Sequence, residues 1–208
     1  MNDYRYARPN NFPPVVKSLI IINVLVFLAQ ITIGRQYDLT NHIVLYPFTD
    51  PDFRVYQVIT HMFAHAPNNY FHILFNMFAL YMFGRILEDS WGPKRFLNFY
   101  LLCGIGAAVF HLMVEYFQGG TAAALGASGA VMGVAVGFAY QYPNTNLYLM
   151  FIPIPIKAKW AITAYVVYDI VFGIAGGDNI AHFAHIGGAI TGFILAIIWN
   201  KSDKKRFY

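Results

Sequence analysis

Long apolar segments alternate with shorter polar connections along almost the whole chain. Six segments are mostly apolar, with approximate bounds at 16–34, 70–87, 96–116, 127–142, 158–175 and 181–199. Each comes close to the roughly 20 residues with which an α-helix crosses the hydrocarbon core of a bilayer. Because a helix satisfies its own backbone polar groups inside lipid, the pattern predicts an all-α membrane protein with six transmembrane helices.

The composition agrees with a lipid environment. Of the 208 residues, 58% are hydrophobic and 12% are charged, whereas soluble domains carry about 25% charged residues. The net charge is +4, but the basic residues are not gathered on one face. We therefore expect the lipid bilayer as a partner and no nucleic acid. The single cysteine, Cys103, lies within the third segment and cannot form an internal disulfide.

The basic residues alternate between connections and predict the orientation. Twelve of the fourteen fall on one side of a six-span topology: Arg5, Arg8, Lys17, Arg85, Lys94, Arg95, Lys157, Lys159, Lys201, Lys204, Lys205 and Arg206. The positive-inside rule makes that side, with both termini, cytoplasmic. The first segment reads as an uncleaved anchor. We divide the chain into an N-terminal tail (1–15), a membrane domain (16–200) and a basic C-terminal tail (201–208).

Four polar residues fall at one depth of the predicted bundle. The second, fourth and sixth segments run in the same direction, and each carries polar residues in its first two turns: His72 and Asn76, Ser128, and His185. Such side chains are costly in a membrane unless they face a protein interior or a water-filled cavity. They are therefore candidates for a functional site.

Glycine spacing indicates how the serine and the histidine meet. Gly129, Gly133 and Gly137 recur every four residues after Ser128, and AHIGGAITG repeats this pattern after His185. Two faces without side chains allow close backbone approach, which would bring the hydroxyl within reach of an imidazole base. The alternative is a simple packing stripe in which the serine bonds the carbonyl four residues back.

His72 and Asn76 are spaced i and i+4, so they share one helix face. Their side chains, with the backbone N–H of Ser128 at a helix start, are hydrogen-bond donors of the kind that stabilise a tetrahedral oxyanion. The alternative is a polar clamp between two helices.

In combination these stretches resemble the rhomboid family of intramembrane serine proteases. The similar stretches are HMFAH with HILFN, EDSWGPKRFLNFYLLCGIGAA, GASG and AHFAHIGGAITG. The resemblance implies a rhomboid-type six-helix bundle in which Ser128 is the nucleophile and His185 its base, a dyad without an acid. It implies oxyanion stabilisation by His72, Asn76 and the Ser128 amide. The glycines of these motifs are Gly126, Gly129, Gly133, Gly188 and Gly192.

The activity that the resemblance implies is cleavage of transmembrane segments of other membrane proteins near their outer ends. Those proteins are the expected substrates, and no cofactor or metal is expected. The expected location is the inner (cytoplasmic) membrane of a bacterium, as a multi-pass protein. We expect sideways substrate entry past the fifth helix, with the Gly176–Gly177 loop as a lid.

Three positions depart from the family pattern. Many members have a tyrosine one turn after the serine that stacks on the base, and this chain has Met132 there. Another group must therefore hold His185. A Trp-Arg pair of the first loop is not evident, with Phe53 and Arg54 the nearest residues. The last outer loop, near 173–180, is longer than in some relatives.

Other ionisable residues have simpler interpretations. His61 and His65 are four apart, but HMFAH lacks the glutamate of the HExxH zinc pattern, so we expect them to hydrogen-bond within the first loop or to line the water entrance. We expect His111 and Glu115 to satisfy each other. We expect no catalytic role for two further pairs. Glu88 and Asp89 are interpreted as interface ion pairs, and Asp178 and His182 lie at the mouth of the sixth segment.

Two further functions remain open from the sequence. A non-catalytic relative would bind and escort membrane helices, although such relatives usually lack the serine or the histidine. A proton-coupled transporter would use the intramembrane histidines, and its activity would not depend on Ser128.

Overall fold

The computed structural model describes residues 12–149, 152–175 and 181–205. In chain order its helices are α1 (Pro14–Ile31), α2 (Gly34–Tyr37), α3 (Leu39–Ile43), α4 (Gln57–Thr60), α5 (Tyr70–Ala79), α6 (Arg85–Trp91), α7 (Pro93–Gln118), α8 (Ser128–Gln141), α9 (Ala158–Ala175) and α10 (His182–Lys205). A 3-10 turn, His61–Phe63, follows α4, and a π-helical turn, Leu80–Gly84, joins α5 to α6. The chain is thus a mostly helical, multi-pass membrane protein, as predicted.

Five helical segments of the described residues are long and apolar enough to cross a bilayer: Pro14–Ile31, Tyr70–Trp91, Pro93–Gln118, Ala158–Ala175 and His182–Asn200. The fourth predicted span corresponds to α8, which has only 14 residues. Nine of these 14 residues are buried, so α8 is enclosed by other helices and needs little contact with lipid. The total of six spans stays a prediction.

Close backbone contact holds α8 against α10. A Cβ atom on Gly192 would lie 2.5 Å from the carbonyl oxygen of Gly133, and one on Gly188 would overlap the carbonyl oxygen of Gly129. On its other side α8 packs on α7, where Cys103 fills the space beside Gly133. Gly129, Gly133, Gly188 and Gly192 therefore lie at the interface for which they were predicted, whereas Gly137 faces Phe99 of α7.

The second span is fixed to the start of α1 by a buried carboxylate. Glu88 accepts hydrogen bonds from the backbone N–H groups of Val15 (2.9 Å) and Val16 (2.7 Å). These amides have no acceptor within their own helix, and a negative charge near them is favourable. The interpretation of Glu88 as a member of an interface ion pair is therefore wrong. Its neighbour Asp89 is exposed.

The first loop is held against the bundle by polar side chains of α1. Gln30 donates to the carbonyl oxygen of His65 (2.9 Å) and accepts from its N–H (2.9 Å), and Asn23 bonds the His65 ring (2.9 Å). Within the loop, Arg54 donates to the carbonyl oxygens of Pro51 and Phe53 and closes a turn. The loop is thus an ordered cover over the end of the bundle at which α5, α8 and α10 begin, which we call the first-loop end.

The connection between α8 and α9 contains an unpredicted hairpin. Strands β1 (Asn146–Leu149) and β2 (Ile152–Lys157) pair antiparallel, with Asn146 opposite Lys157. The predicted domain limits are not helix limits, since α1 begins at Pro14 and α10 continues to Lys205. Gly176, Gly177 and Asp178, to which we assigned the lid and the mouth of the sixth span, lie outside the described residues, as do the outermost parts of both tails.

Candidate active site

Ser128 and His185 are in contact at the first-loop end. Ser128 is the first residue of α8, and His185 lies in the first turn of α10. The distance between Oγ of Ser128 and Nε2 of His185 is 2.7 Å, and His185 is buried. This is the length of a good O–H···N hydrogen bond, in which the hydroxyl donates and the imidazole nitrogen accepts. A hydroxyl so placed can lose its proton to the imidazole when it attacks an electrophile.

Gly126 shapes the space beside this pair. Its φ angle is +121°, a conformation that side chains rarely adopt. A Cβ atom there would lie 2.8 Å from Nε2 of His72 and 3.6 Å from Oγ of Ser128. The glycine therefore both permits the turn into α8 and leaves open the space between the His72 ring and the serine hydroxyl.

The approach to Ser128 is tied to the first loop by backbone hydrogen bonds. The N–H of Gly126 donates to the carbonyl oxygen of His61 (2.9 Å), and Leu45 and Ala124 exchange two N–H···O bonds of 2.9 Å each. The first loop and the nucleophile turn thus form one connected structure, so the position of the hydroxyl depends on both.

His72 presents a proton toward the serine. Its Nδ1 accepts a hydrogen bond from the N–H of Ala66 (3.2 Å). A neutral imidazole that accepts at Nδ1 carries its proton on Nε2, the nitrogen beside Gly126. This tautomer gives the donor that the predicted oxyanion role requires.

Asn76 lies one turn further along the same face of α5 and is buried. Its Nδ2 donates to the carbonyl oxygen of His72 (2.7 Å). A primary amide has two N–H groups, so a second donor remains for an oxyanion after this bond is made. The roles of Asn76, His72 and the Ser128 amide in oxyanion stabilisation stay predictions.

A buried carboxylate contacts the other nitrogen of His185. Oδ1 of Asp169, on α9, lies 3.0 Å from Nδ1 of His185 and 2.6 Å from Nδ1 of His182. Asp169 is only 1% exposed. Asp169 was not among the residues predicted for the site, although an ionisable residue inside the apolar run VVYDIVF is a signal for function. Likewise, His182 bonds this carboxylate and is buried, rather than simply lying at the mouth of its span.

Helix α9 also supplies the ring beside His185. The ring centroids of Tyr165 and His185 are 6.4 Å apart, with 47° between their planes. Met132, at the position where many family members have a tyrosine, is buried in α8. The group that holds His185 thus comes from α9, through Asp169 and Tyr165, and the expectation that something other than residue 132 holds the ring agrees with this geometry.

Asp169, His182 and His185 also have the residue types of a metal site, and their ligand atoms all lie within 4.8 Å of one another. A metal ion on Nδ1 of His185 would leave the remaining ring proton on Nε2, because a neutral imidazole has one N–H. Nε2 could then no longer accept the serine proton. Direct hydrogen bonds to the carboxylate are therefore the arrangement compatible with a base at His185.

The two histidines of HMFAH have structural roles. Nδ1 of His61 donates to the carbonyl oxygen of Gln57 (2.9 Å), within the first loop as expected. His65 bonds side chains of α1, so the expectation that it would bond within the loop is wrong. Burial lowers the pKa of His61 to about 4 and that of His65 to about 3, so both rings are neutral at neutral pH.

The prediction that His111 and Glu115 hydrogen-bond to each other is also wrong. Nε2 of His111 donates to the carbonyl oxygen of Ala122 (3.0 Å), and Glu115 accepts from the N–H of the same residue (3.0 Å). Both side chains thus hold the loop that leads to Ser128 rather than each other.

Comparison with known proteins decides the family. Residues 52–202 match the model of the rhomboid domain, which is more than half of the chain. The chain belongs to the rhomboid family. The membership predicted from the motifs is therefore confirmed, and it covers every residue of the candidate site.

The similar curated proteins are mitochondrial rhomboid proteins. The chain is 31% identical to RHOMBOID-like protein 12, mitochondrial, of Arabidopsis thaliana, over 93% of this chain and 60% of that protein. It is 28% identical to the human presenilin-associated rhomboid-like protein, mitochondrial, over 85% and 46%. It is also 28% identical to Rhomboid protein 1, mitochondrial, of Saccharomyces cerevisiae, over 72% and 43%. The rhomboid chain thus spans about half the length of the curated relatives it matches.

Proposed function

We propose that this rhomboid protein is an intramembrane serine endopeptidase that cleaves transmembrane segments of other membrane proteins near their outer ends. The observation that carries the proposal is the contact of 2.7 Å between Oγ of Ser128 and Nε2 of His185. Ser128 is the first residue of α8, and the first N–H groups of a helix have no acceptor within the helix.

The reaction follows from these atoms. Oγ of Ser128 bonds to the carbonyl carbon of the scissile peptide while its proton passes to Nε2 of His185. The carbonyl π electrons move to the oxygen, and the oxyanion accepts hydrogen bonds from His72, Asn76 and the Ser128 amide. Collapse expels the amine, which takes the proton from Nε2. Water then attacks the acyl-enzyme by the same route, and Ser128 recovers a proton.

The exposure of α9 supports sideways entry of a substrate. Only 17% of its apolar window is buried in the protein, against 44% in α7 and in α10. Between α8, α9 and α10 lies a crevice of about 360 Å³. It is lined mainly by apolar side chains, among them Val136, Ile162, Val166, Ile190 and Phe193. These residues lie toward the start of α9 and beyond the first two turns of α8 and α10, so the crevice shows where α9 packs loosely rather than where Ser128 and His185 meet. A substrate segment must unwind after it passes α9, because a peptide bond within a regular helix is shielded from attack.

The decisive experiment is covalent labelling with a serine-reactive fluorophosphonate, together with cleavage of a transmembrane reporter in vesicles. We expect the parent to be labelled and to cut the reporter, and Ser128→Ala and His185→Ala each to abolish both. Cleavage by either variant would reject the dyad. His42→Ala, a change of an exposed histidine of the first loop, is the matched control and should retain both activities.

The other two functions find less support. A helix-binding relative without catalysis would not need the serine and histidine in contact. A proton-coupled transporter would need a chain of titratable groups. His61, His65 and His111 instead bond backbone carbonyls or side chains of α1.

The orientation and the compartment are also proposals. The basic residues favour cytoplasmic termini, so that the first-loop end faces outward. The predicted location is the inner membrane of a bacterium, whereas the printed names of the similar proteins place those proteins in mitochondria. Fractionation of the source cells and protease protection of a terminal tag would decide between them.

A further inference from the structure

We propose that Gln30 of α1 is a positioning residue for His72, the predicted oxyanion donor. Its side chain holds the backbone at His65, and the next residue, Ala66, donates the hydrogen bond that orients the His72 ring. The inference rests on the proposed serine chemistry. It extends the functional machinery to α1, which precedes residues 52–202, the part of the chain that matches the rhomboid domain.

The first argument is how the Gln30 amide is used. Its Nε2 donates to the carbonyl oxygen of His65 (2.9 Å) and to Oγ1 of Thr40 (3.1 Å). Its Oε1 accepts from the N–H of His65 (2.9 Å), so both N–H groups and the oxygen of the amide have partners. Gln30 is buried, and loss of its amide would deprive two buried backbone groups of their partner. The side chain therefore holds the loop at one residue by two opposed hydrogen bonds.

The second argument is that one face of α1 is directed at this loop residue. Asn23, Phe27 and Gln30 are spaced i, i+4 and i+7, and all three are buried. Oδ1 of Asn23 lies 2.9 Å from Nε2 of His65, and the ring of Phe27 stands edge-on to the His65 ring with centroids 6.3 Å apart. The second half of α1 thus fixes both the side chain and the backbone of His65.

The third argument is the closed turn between His65 and His72. The carbonyl oxygen of Ala66 accepts from the N–H of Asn69, and that of Asn69 accepts from the N–H of His72, each at 3.0 Å. The N–H of Ala66 in turn donates to Nδ1 of His72 (3.2 Å). The rings of His65 and His72 also meet edge to face, with centroids 5.2 Å apart. A displacement of His65 therefore moves the hydrogen-bond donor of the His72 ring.

The hydrogen bond from Ala66 decides which nitrogen of His72 carries the proton. While Nδ1 accepts, a neutral ring has its N–H at Nε2, on the side of Gly126 and Ser128. If Ala66 moved away, the proton could occupy either nitrogen. In the molecules with a bare Nε2, His72 could not donate to the oxyanion. Gln30 thus acts on the chemical step through His72, without touching the substrate.

The first test measures kcat and KM for cleavage of a transmembrane reporter, and the rate constant for fluorophosphonate labelling, in Gln30→Met. Methionine has a similar length and no amide. A small displacement of a catalytic group can be costly, so we expect kcat and the labelling rate to fall about 10- to 100-fold, with KM changed little. Leu28→Met, at an exposed position of α1, is the matched control and should stay within about twofold. A parental kcat in folded Gln30→Met would overturn the proposal.

A double-mutant cycle separates positioning from a general effect on the fold. In His72→Ala there is no ring left for Gln30 to position, so addition of Gln30→Met should slow labelling by less than about twofold. Residues that act through one group are non-additive in this way. Equal losses in the parental and His72→Ala backgrounds would assign Gln30 a merely structural role and overturn the proposal.

Nitrogen-15 NMR tests the tautomer directly. The seven histidines are observed in micelles, with His72 assigned from a His72→Gln sample. We expect the parent to show N–H at Nε2 of His72 and a bare Nδ1, and Gln30→Met to show a mixture of the two tautomers. A proton on Nδ1 of His72 in the resting parent would overturn the proposal, even if Gln30→Met fails to fold.

The two proposals fail in different ways. If the parent is neither labelled nor active, the proposed protease function fails. If the parent is labelled and Ser128→Ala is not, but Gln30→Met keeps the full rate, only the role of Gln30 fails. If Gln30→Met raises KM and keeps kcat, Gln30 acts on substrate binding alone, and the positioning role is rejected.

Discussion

A Cβ atom on Gly126 would lie 2.8 Å from Nε2 of His72, so the glycine keeps the ring of this histidine in open contact with the space beside the serine. This is the space in which the proposed reaction would place the oxyanion. Because a side chain at residue 126 would collide with the N–H group at Nε2 of His72, the first prediction concerns Gly126.

Gly126→Ala should fold but react poorly. A φ of +121° costs an alanine about 1–3 kcal/mol, and its methyl group would displace the His72 ring. We expect fluorophosphonate labelling to fall at least about tenfold. Ala123→Ser, an exposed change in the same loop, is the control and should label like the parent. Parental labelling of Gly126→Ala would show that the space beside Ser128 tolerates a side chain.

Removal of the His72 ring should affect the chemical step more than binding. Loss of one oxyanion donor typically lowers kcat by about 10²- to 10³-fold. We expect His72→Ala to show this loss in kcat for reporter cleavage, with KM changed little. A variant that raises KM and keeps kcat would assign His72 to substrate binding instead.

Gly192→Ala should disturb the contact between α8 and α10. The added methyl group would meet the carbonyl oxygen of Gly133 at 2.5 Å, and neither backbone can yield without moving its helix. We expect a lower thermal midpoint and slower labelling, since the same helices carry Ser128 and His185. Ile194→Ala, a change of an exposed residue on α10 outside the crevice, should affect labelling much less.

Glu88→Gln should lower stability without changing the chemistry. The carboxylate accepts from two amides at the start of α1, and hydrogen bonds to a charged group are worth about 1.5–3 kcal/mol each. A glutamine keeps one acceptor oxygen and loses the charge. We expect a lower thermal midpoint with normal labelling of the folded fraction. The neighbouring exposed residue gives the control, Asp89→Asn, which should keep the parental midpoint.

The sequence predicted the contact between Ser128 and His185 correctly, but it did not predict the partners of the buried carboxylates around the site. Ser128 and His185 were expected to touch because glycine stripes follow both, and those stripes form the observed interface. Glu88 was assigned to interface ion pairs, and Glu115 was paired with His111, because local spacing shows only nearby residues. Glu88 instead bonds backbone amides at the start of α1, and Glu115 bonds an amide of the loop that follows its own helix; periodicity reveals neither contact.

The sequence by itself determined the apolar segments and the placement of His72, Ser128 and His185 in the first turns of three helices, because hydrophobic length and residue spacing set these features. The rotation of α9 about its own axis was decided only by tertiary packing. Most faces of that helix are equally apolar, so nothing local fixes which one turns inward. The two histidines of α10 do so, by bonding the one carboxylate on α9.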